Sequence, residues 1–484
     1  MAQEGSPAPG NEVAQAVGSQ PAPGGPSPKG RRSFDRSLID GPIGPAVWKI
    51  AWPTMLQNII AGLQGIIDHA MVGHYVGYTA NAAIGVSWQI IIVVIVFISS
   101  VFSGMGVLVA RFAGANRPDD VNRVVYQSFL TAAGMAVVLG AAGWLAAPSL
   151  LDLVNAAPLV RAEAMPFLRT MLVGISGMMI FFLLSGAFRA AGDARTPLRL
   201  GLAMTALTIV FNVILIPRYG TLGAAIGTIA SSTLVSAWGV WRLSRPESVI
   251  HFEPGMSKAP DFKVIRELFR FGLPTGVQGI AMNVAGVLLL RFIGSLPHSA
   301  AAQAAYAVGY TELFSLITWT SVGLMGAAAA IAGQNLGAGR PERVVQSVWV
   351  ASRIGLCLAA GVGALFLAVP NLLLGVFGMK DPVVLMLGKQ LLRYLAVSGM
   401  FVTVALCFTG ALQGTGDTRG PLYISIVSQI IVPLGLCAVL QATRGLTSGE
   451  IWTAIVLGHV TRCALSIGRF RMQKWRGIRV AIPA

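Results

Sequence analysis

Of the 19 acidic residues in the chain, only Asp68 and Glu312 fall inside long apolar runs. A carboxylate at bilayer depth costs about 2.5 to 3.5 kcal/mol on insertion scales, so one kept there has a task or a partner. Asp68 shares a helix face with Gln57, Ala61 and Gln64, because spacings of four, three and four bring those side chains into line. A polar stripe of this kind on a membrane helix faces a wet cavity or the bundle interior. Asp68 could exchange a proton or hold a cation there; alternatively it hydrogen-bonds helix-end backbone or pairs with His69. Glu312, within Gly309-Tyr-Thr-Glu-Leu-Phe314, could help bind a cation or be a helix-end carboxylate near Arg291. Asn212 and Thr228 are uncharged oxygen donors in the same half as Asp68, and either also suits hydrogen bonding between helices. Gln57, Gln64, Gln278, Asn283 and Glu312 are the candidates for a substrate cavity.

Other chemistries lack their residues. His69 and His74 are five apart rather than four, and His459 is isolated, so no helical metal pair is encoded. Cys357, Cys407, Cys437 and Cys463 sit singly in apolar segments, without metal or disulfide spacing. There is no Gly-x-Ser-x-Gly turn, no His-Glu-x-x-His run and no Walker A loop, which argues against an intramembrane hydrolase and against direct drive by ATP. The expectation is a protein that is not an enzyme and has no metal or cofactor.

The elements that must position these residues are membrane helices. The chain has 484 residues, 55% hydrophobic and only 11% charged, where soluble domains run to about 25% charged. Apolar runs between charged or Pro/Gly breaks predict twelve helices, near 47 to 73, 79 to 112, 121 to 146, 163 to 188, 196 to 217, 221 to 243, 264 to 293, 299 to 333, 344 to 370, 383 to 413, 420 to 441 and 447 to 468. The polar interruption at 244–263 separates an N-lobe (46–243) from a C-lobe (264–470), with a disordered tail over 1–45 and a basic tail over 471–484. The first 30 residues hold six Pro and six Gly and no apolar core of signal-peptide length. Most of the 35 Lys and Arg fall on the face that carries both termini and the linker, which makes that face cytoplasmic. The net charge of +16 is therefore a topology signal, not a nucleic-acid footprint.

An internal repeat organises the chain. Phe188-Arg-Ala-Ala-Gly-Asp-Ala-Arg-Thr-Pro-Leu198 realigns with Leu412-Gln-Gly-Thr-Gly-Asp-Thr-Arg-Gly-Pro-Leu422, Gly114-Ala-Asn-Arg-Pro118 with Gly337-Ala-Gly-Arg-Pro341, and Pro53-Thr54 with Pro274-Thr275, in one order and at a nearly constant offset. Six helices per repeat give both halves the same membrane orientation, an arrangement found in transporters that alternate access around a site between the halves. In this alignment Gln57 corresponds to Gln278, but Gln64 becomes Ala285 and Asp68 becomes Leu289. The carboxylate is not needed to build the helical unit, and the N-lobe alone carries it.

The chain from about 46 to 470 resembles the multidrug and toxic compound extrusion (MATE) family of efflux transporters. The resemblance rests on Ala51-Trp-Pro53, Ile66-Ile-Asp-His-Ala-Met-Val-Gly73, the loops Ala113-Gly-Ala-Asn116 and Gly333-Gln-Asn-Leu-Gly-Ala-Gly339, and the paired Gly-Asp turns at Asp193 and Asp417. It implies a V-shaped pair of six-helix lobes exporting amphiphilic, often cationic compounds by antiport with protons or sodium ions. Asp68 matches the family's carboxylate in the first helix, Asn212 the Asn that opens a run in the fifth, Thr228 a further polar position in the sixth, and Ser185 an Asn in the fourth. Ile216 stands where many members carry a second carboxylate, and the seventh and tenth helices lack the acidic residues others have, past Glu267 at the start of the seventh.

With one N-lobe carboxylate a proton is the expected coupling ion rather than sodium, since a proton needs only one titrating site. The expected protein is an all-α, twelve-helix, monomeric secondary antiporter of the inner or plasma membrane. Its partners would be the bilayer and a small amphiphilic substrate, with no nucleic acid. The alternative is a lipid-linked oligosaccharide flippase of the same superfamily; twelve helices rather than fourteen, and the expected lack of a strongly cationic central cavity, count against it.

Overall fold

The computed structural model describes residues 34–153, 158–243, 250–252 and 259–480. Those residues form helices and turns, with no β-strand among them. The long helices are α1 (Ile43–Tyr75), α2 (Tyr78–Gly114), α3 (Pro118–Leu153), α4 (Pro158–Ala190), then one helical run Arg195–Leu243, then α7 (Phe262–Gly294), α8 (Ser299–Gly337), α9 (Pro341–Ala368), α10 (Pro382–Thr415), α11 (Arg419–Thr443) and α12 (Ser448–Arg471). The run of 49 residues would be about 74 Å long if straight, far more than one crossing needs. It bends at Gly220 (φ 59, ψ −135), three residues after Pro217, and so supplies α5 (195–219) and α6 (221–243).

Ten of these helical stretches are long and apolar enough to cross a membrane, the run 195–243 counting once. The helix missing from that set is α1, whose hydropathy is lowered by Gln57, Asn58, Gln64, Asp68 and His69. With the bend resolved and α1 included, the bundle is the all-α arrangement of twelve helices that the periodicity predicts.

The repeat motifs are helix-end devices. Gly192 (φ 98) and Gly416 (φ 99) take the left-handed conformation that ends α4 and α10. The next residues, Asp193 and Asp417, donate backbone N–H bonds back to Phe188 and Leu412. The same aspartates then cap the following helices: Asp193 accepts from the Thr196 N–H (3.0 Å), and Asp417 from the Gly420 N–H (3.0 Å). Asn116 (φ 55) and Gly339 (φ 72) occupy matching left-handed positions before Pro118 and Pro341.

The lobes meet at the end of the bundle that carries the chain termini. There α2 lies against α7 and α8 so closely that glycines are required. A Cβ at Gly272 would stand 1.6 Å from the Ser100 carbonyl oxygen, at Gly104 2.0 Å from that of Leu268, and at Gly114 2.0 Å from that of Gln334. On α8, Gly323 is pressed against the Met55 backbone of α1 in the same way.

Of the disordered tail expected over 1–45, residues 1–33 lie outside the described set, and the residues from 34 onward are ordered. Ser37–Asp40 form a short helix whose Leu38 and Ile39 are buried. Arg340 and Arg343 donate to the Ile39 and Gly41 carbonyls (2.9 and 2.6 Å), fixing this segment to the start of α9. The basic tail likewise folds back: Trp475 is fully buried, and Arg111 donates to the Ile478 carbonyl (3.0 Å). Of the linker predicted at 244–263, residues 244–249 and 253–258 lie outside the described set. At its end Asp261 caps α7 and pairs with Arg123 of α3 (Nε to Oδ2 2.8 Å).

Candidate functional site

Between the lobes, beyond their closed end, lies a cavity of about 900 Å³, room enough for a drug-sized molecule. Much of its wall is apolar and adaptable, with Phe102, Phe181 and Phe182 beside Met178, Met282 and Met325.

The α1 stripe of Gln57, Ala61, Gln64 and Asp68 faces this cavity. Asp68 is half-buried. The Asn212 amide of α5 donates to Asp68 Oδ1 (2.8 Å), and Gln64 is a second side-chain hydrogen-bond partner. Gln64 Oε1 in turn accepts from the Thr205 hydroxyl (2.7 Å). His69 contributes an electrostatic interaction. Among the described residues no Lys or Arg forms an ion pair with Asp68, so hydrogen-bond donors hold the carboxylate rather than a fixed charge. Asp68 thus faces the cavity, with the neighbouring His69 also acting on its charge.

Asn212 is fully buried. Because its Nδ2 points at the carboxylate, its Oδ1 is left without a hydrogen-bond partner. Gly227 makes room for it: a Cβ there would come within 2.3 Å of that oxygen. Thr228 lines the cavity, but its hydroxyl is bonded to the Ala224 carbonyl (3.0 Å). Ser185 also lines it, with its buried Oγ free of any partner. Ile216, at the position of the second carboxylate, is buried in the N-lobe core.

Toward the closed end of the cavity the pseudo-symmetric partners meet. Gln278 donates to the Ser425 hydroxyl (2.7 Å) and accepts from Gln413 (3.1 Å). Gln57 and Arg189, their counterparts in the N-lobe repeat, line the same space. Two of the candidates are not brought here. Asn283 is exposed on α7 and bonded to the Gly279 carbonyl (2.9 Å), and Glu312 sits off the cavity in a π-helical stretch of α8, Ala307–Leu313. The expectation that the cavity would not be strongly cationic is corrected, because two arginines, Arg189 and Arg462, are among its lining residues. Both residues lie toward the terminus-bearing ends of their helices, where basic residues read as topology markers. Only the tertiary packing shows that they turn inward.

No group of three or more His, Cys, Asp or Glu side chains that could hold a metal ion is present among the described residues.

The MatE family model matches residues 53–214 and 274–439, one block in each lobe. The chain is similar to the probable multidrug resistance protein NorM of Thermotoga maritima, at 26% identity over 437 residues, covering 88% of this chain and 92% of that one. It is similar also to the multidrug export protein MepA of Staphylococcus aureus, at 24% identity over 438 residues with the same coverage. Its fold superimposes on the outward-facing conformation of a multidrug resistance MATE family transporter with a TM-score of 0.86, at 19% identity, covering 94% of this chain and all of that one.

Proposed function

The chain belongs to the MatE family of membrane transporters, and from that premise we propose that it exports amphiphilic compounds by exchanging them for protons at Asp68. Drug extrusion is the function its relatives support, and the flippase reading is not favoured by them.

The observation that carries the coupling is the setting of the Asp68 carboxylate, which is reachable from the cavity, held by amide donors and, among the described residues, without a Lys or Arg partner. Amide N–H groups cannot ligate a metal ion. Asn212 turns its donor, not its oxygen, toward Asp68, so the site as built supports a proton rather than sodium. One proton moved down a 100 mV potential supplies about 2.3 kcal/mol, enough to drive a modest gradient of a neutral compound. Proton binding and substrate binding favour different arrangements of the N-lobe, so each displaces the other.

The lobes are closed at the terminus-bearing end, and the lining of the N-lobe runs from there past Asp68 to Ile84 and Phe167. With the termini in the cytoplasm, this is an outward-open state of a multi-pass protein of the inner or plasma membrane, in which Asp68 can load a proton from outside.

The test is ethidium export from proteoliposomes under an imposed proton or sodium gradient, comparing the wild-type chain with Asp68→Asn. The wild type is expected to respond to the proton gradient and the variant to lose that response. Proton-driven export that survives unchanged in the variant removes Asp68 from the coupling.

A further inference from the structure

Among the described residues, four groups lining the cavity carry or can take a charge: Asp68, His69, Arg189 and Arg462. Fixed positive charge thus outnumbers negative, an unexpected balance for a site serving cations alone. Arg462, on α12, is 6% exposed, and its Nε is buried without a hydrogen-bond partner. Among the described residues neither Arg462 nor Arg189 is in an ion pair; the pairs that form use other arginines.

The side chains packed near Arg462 are mostly aromatic. Its electrostatic neighbours are the Tyr310 hydroxyl and His459. The imidazole Nδ1 of His459 is taken up by the Ser398 hydroxyl. Tyr306, Tyr310, Phe314 and His459 stack in succession, with ring centroids 4.9, 5.4 and 5.9 Å apart. Arg189, on α4, lays its guanidinium over the Phe102 ring of α2 (5.9 Å) and against Gly326 of α8. A guanidinium inside a membrane bundle is costly without a counter-charge. One lining a cavity with an unpartnered donor, and no carboxylate partner among the described residues, is built to receive its counter-charge from a ligand. The planar fork of Arg matches carboxylate, sulfonate and phosphate. Arg462 lies toward the closed end of α12, whereas Asp68 lies toward the open end of α1, so an oxyanion at Arg462 would not meet the Asp68 charge at close range.

We propose that Arg462, assisted by Arg189, forms an oxyanion subsite in the deep part of the cavity, so that the exported amphiphiles include those carrying a carboxylate, sulfonate or phosphate beside an apolar body. This rests on the export reading and narrows its substrate class. The cavity has two poles: the carboxylate that exchanges protons near the mouth and the arginines that seat the anionic end of the cargo below.

The test uses the full-length chain in nanodiscs and two amphiphilic dyes, 1-anilinonaphthalene-8-sulfonate as the anion and ethidium as the cation. Binding is measured for the wild type, Arg462→Gln, Arg462→Lys and Arg189→Gln. Saturable sulfonate binding by the wild type is expected, weakened about tenfold in Arg462→Gln. Arg462→Lys should recover part of the loss and Arg189→Gln should show a smaller one, while ethidium, a cation, is not weakened in any variant and gains affinity where a positive charge is removed. Ethidium binding also reports that each variant is folded. Sulfonate affinity unchanged in Arg462→Gln, equal weakening of both dyes, or no saturable sulfonate binding by the wild type overturns the subsite. Failure of the wild type to bind ethidium would count against the export reading instead, and the sulfonate result would still decide the subsite.

Discussion

At the scale of single residues, the account turns on what keeps a carboxylate available inside a membrane. Asp68 is held by donors that tolerate either of its charge states, whereas an arginine partner would fix it ionised. Gly227 is the least conspicuous member of this arrangement. Its Gly→Ala variant places a methyl within 2.3 Å of Asn212 Oδ1, so Asn212 must shift away from Asp68. We expect Gly227→Ala to lower proton-driven ethidium export several-fold while the protein remains in the membrane, as measured by export normalised to protein content. The carboxylate stripe was legible in the sequence, because a helical face follows from spacing alone and a charge in apolar sequence stands out. The arginines were not. A basic residue near a helix end is usually a topology marker, and no periodicity distinguishes one that snorkels outward from one that turns into the bundle. Gly227 was invisible for a similar reason: its role is a distance to a side chain on another helix.

At the scale of elements, the paired Gly-Asp turns show how a repeat in sequence becomes a repeat in structure. In each lobe the glycine ends one helix in a left-handed conformation and the aspartate begins the next. Removing such a cap costs about 1 kcal/mol. Asp417→Ala should cost more than Asp193→Ala, since Asp417 is also the partner of Arg469 (2.7 Å) and is nearly buried, whereas the described ion pairs do not include Asp193. Thermal unfolding of the two variants in detergent checks the order, and equal losses would contradict it. Helix existence was readable from apolar runs, but the bend at Gly220 and the π-helical stretches Ala307–Leu313 and Val427–Ile431 were not. A π turn shifts the face presented by every following residue, so the depth and direction of Glu312 could not be read from a regular period.

For the whole molecule, the question is how two lobes sealed by backbone contact can part. The seal is made of glycines on α2, α7 and α8, with the ordered segments before α1 and after α12 fastened over it. Gly272→Val cannot form this seal, because even a single carbon there would overlap the Ser100 carbonyl. A cysteine placed at the buried Leu268 position, whose backbone lies against Gly104 in the seal, should therefore react faster with a polar maleimide in the Gly272→Val background than in the otherwise wild-type chain; an equal rate would argue against a glycine seal. The clasp between α3 and the start of α7 adds a dependence on pH. Partial burial opposes the charge of Asp261, yet the Arg123 guanidinium and the backbone N–H groups of Val264 and Lys263 hold its carboxyl below the ordinary carboxylate range. A carboxyl with a lowered value contributes stability above its unfolded value of about 3.9 and loses it as pH falls through the folded value. The difference in melting temperature between wild type and Asp261→Asn should thus be constant near neutrality and shrink below about pH 4. A difference that grows on acidification would contradict the clasp.

The claim on which the rest depends is that cargo and proton compete through one carboxylate, and proton release on binding reads it directly. Ethidium added to the purified protein in weakly buffered detergent solution should release protons in the wild type, detected by a pH-sensitive dye, and none in Asp68→Asn at matched ethidium occupancy. Ethidium binding by the wild type with no proton released, or with the same release in the variant, would contradict the account.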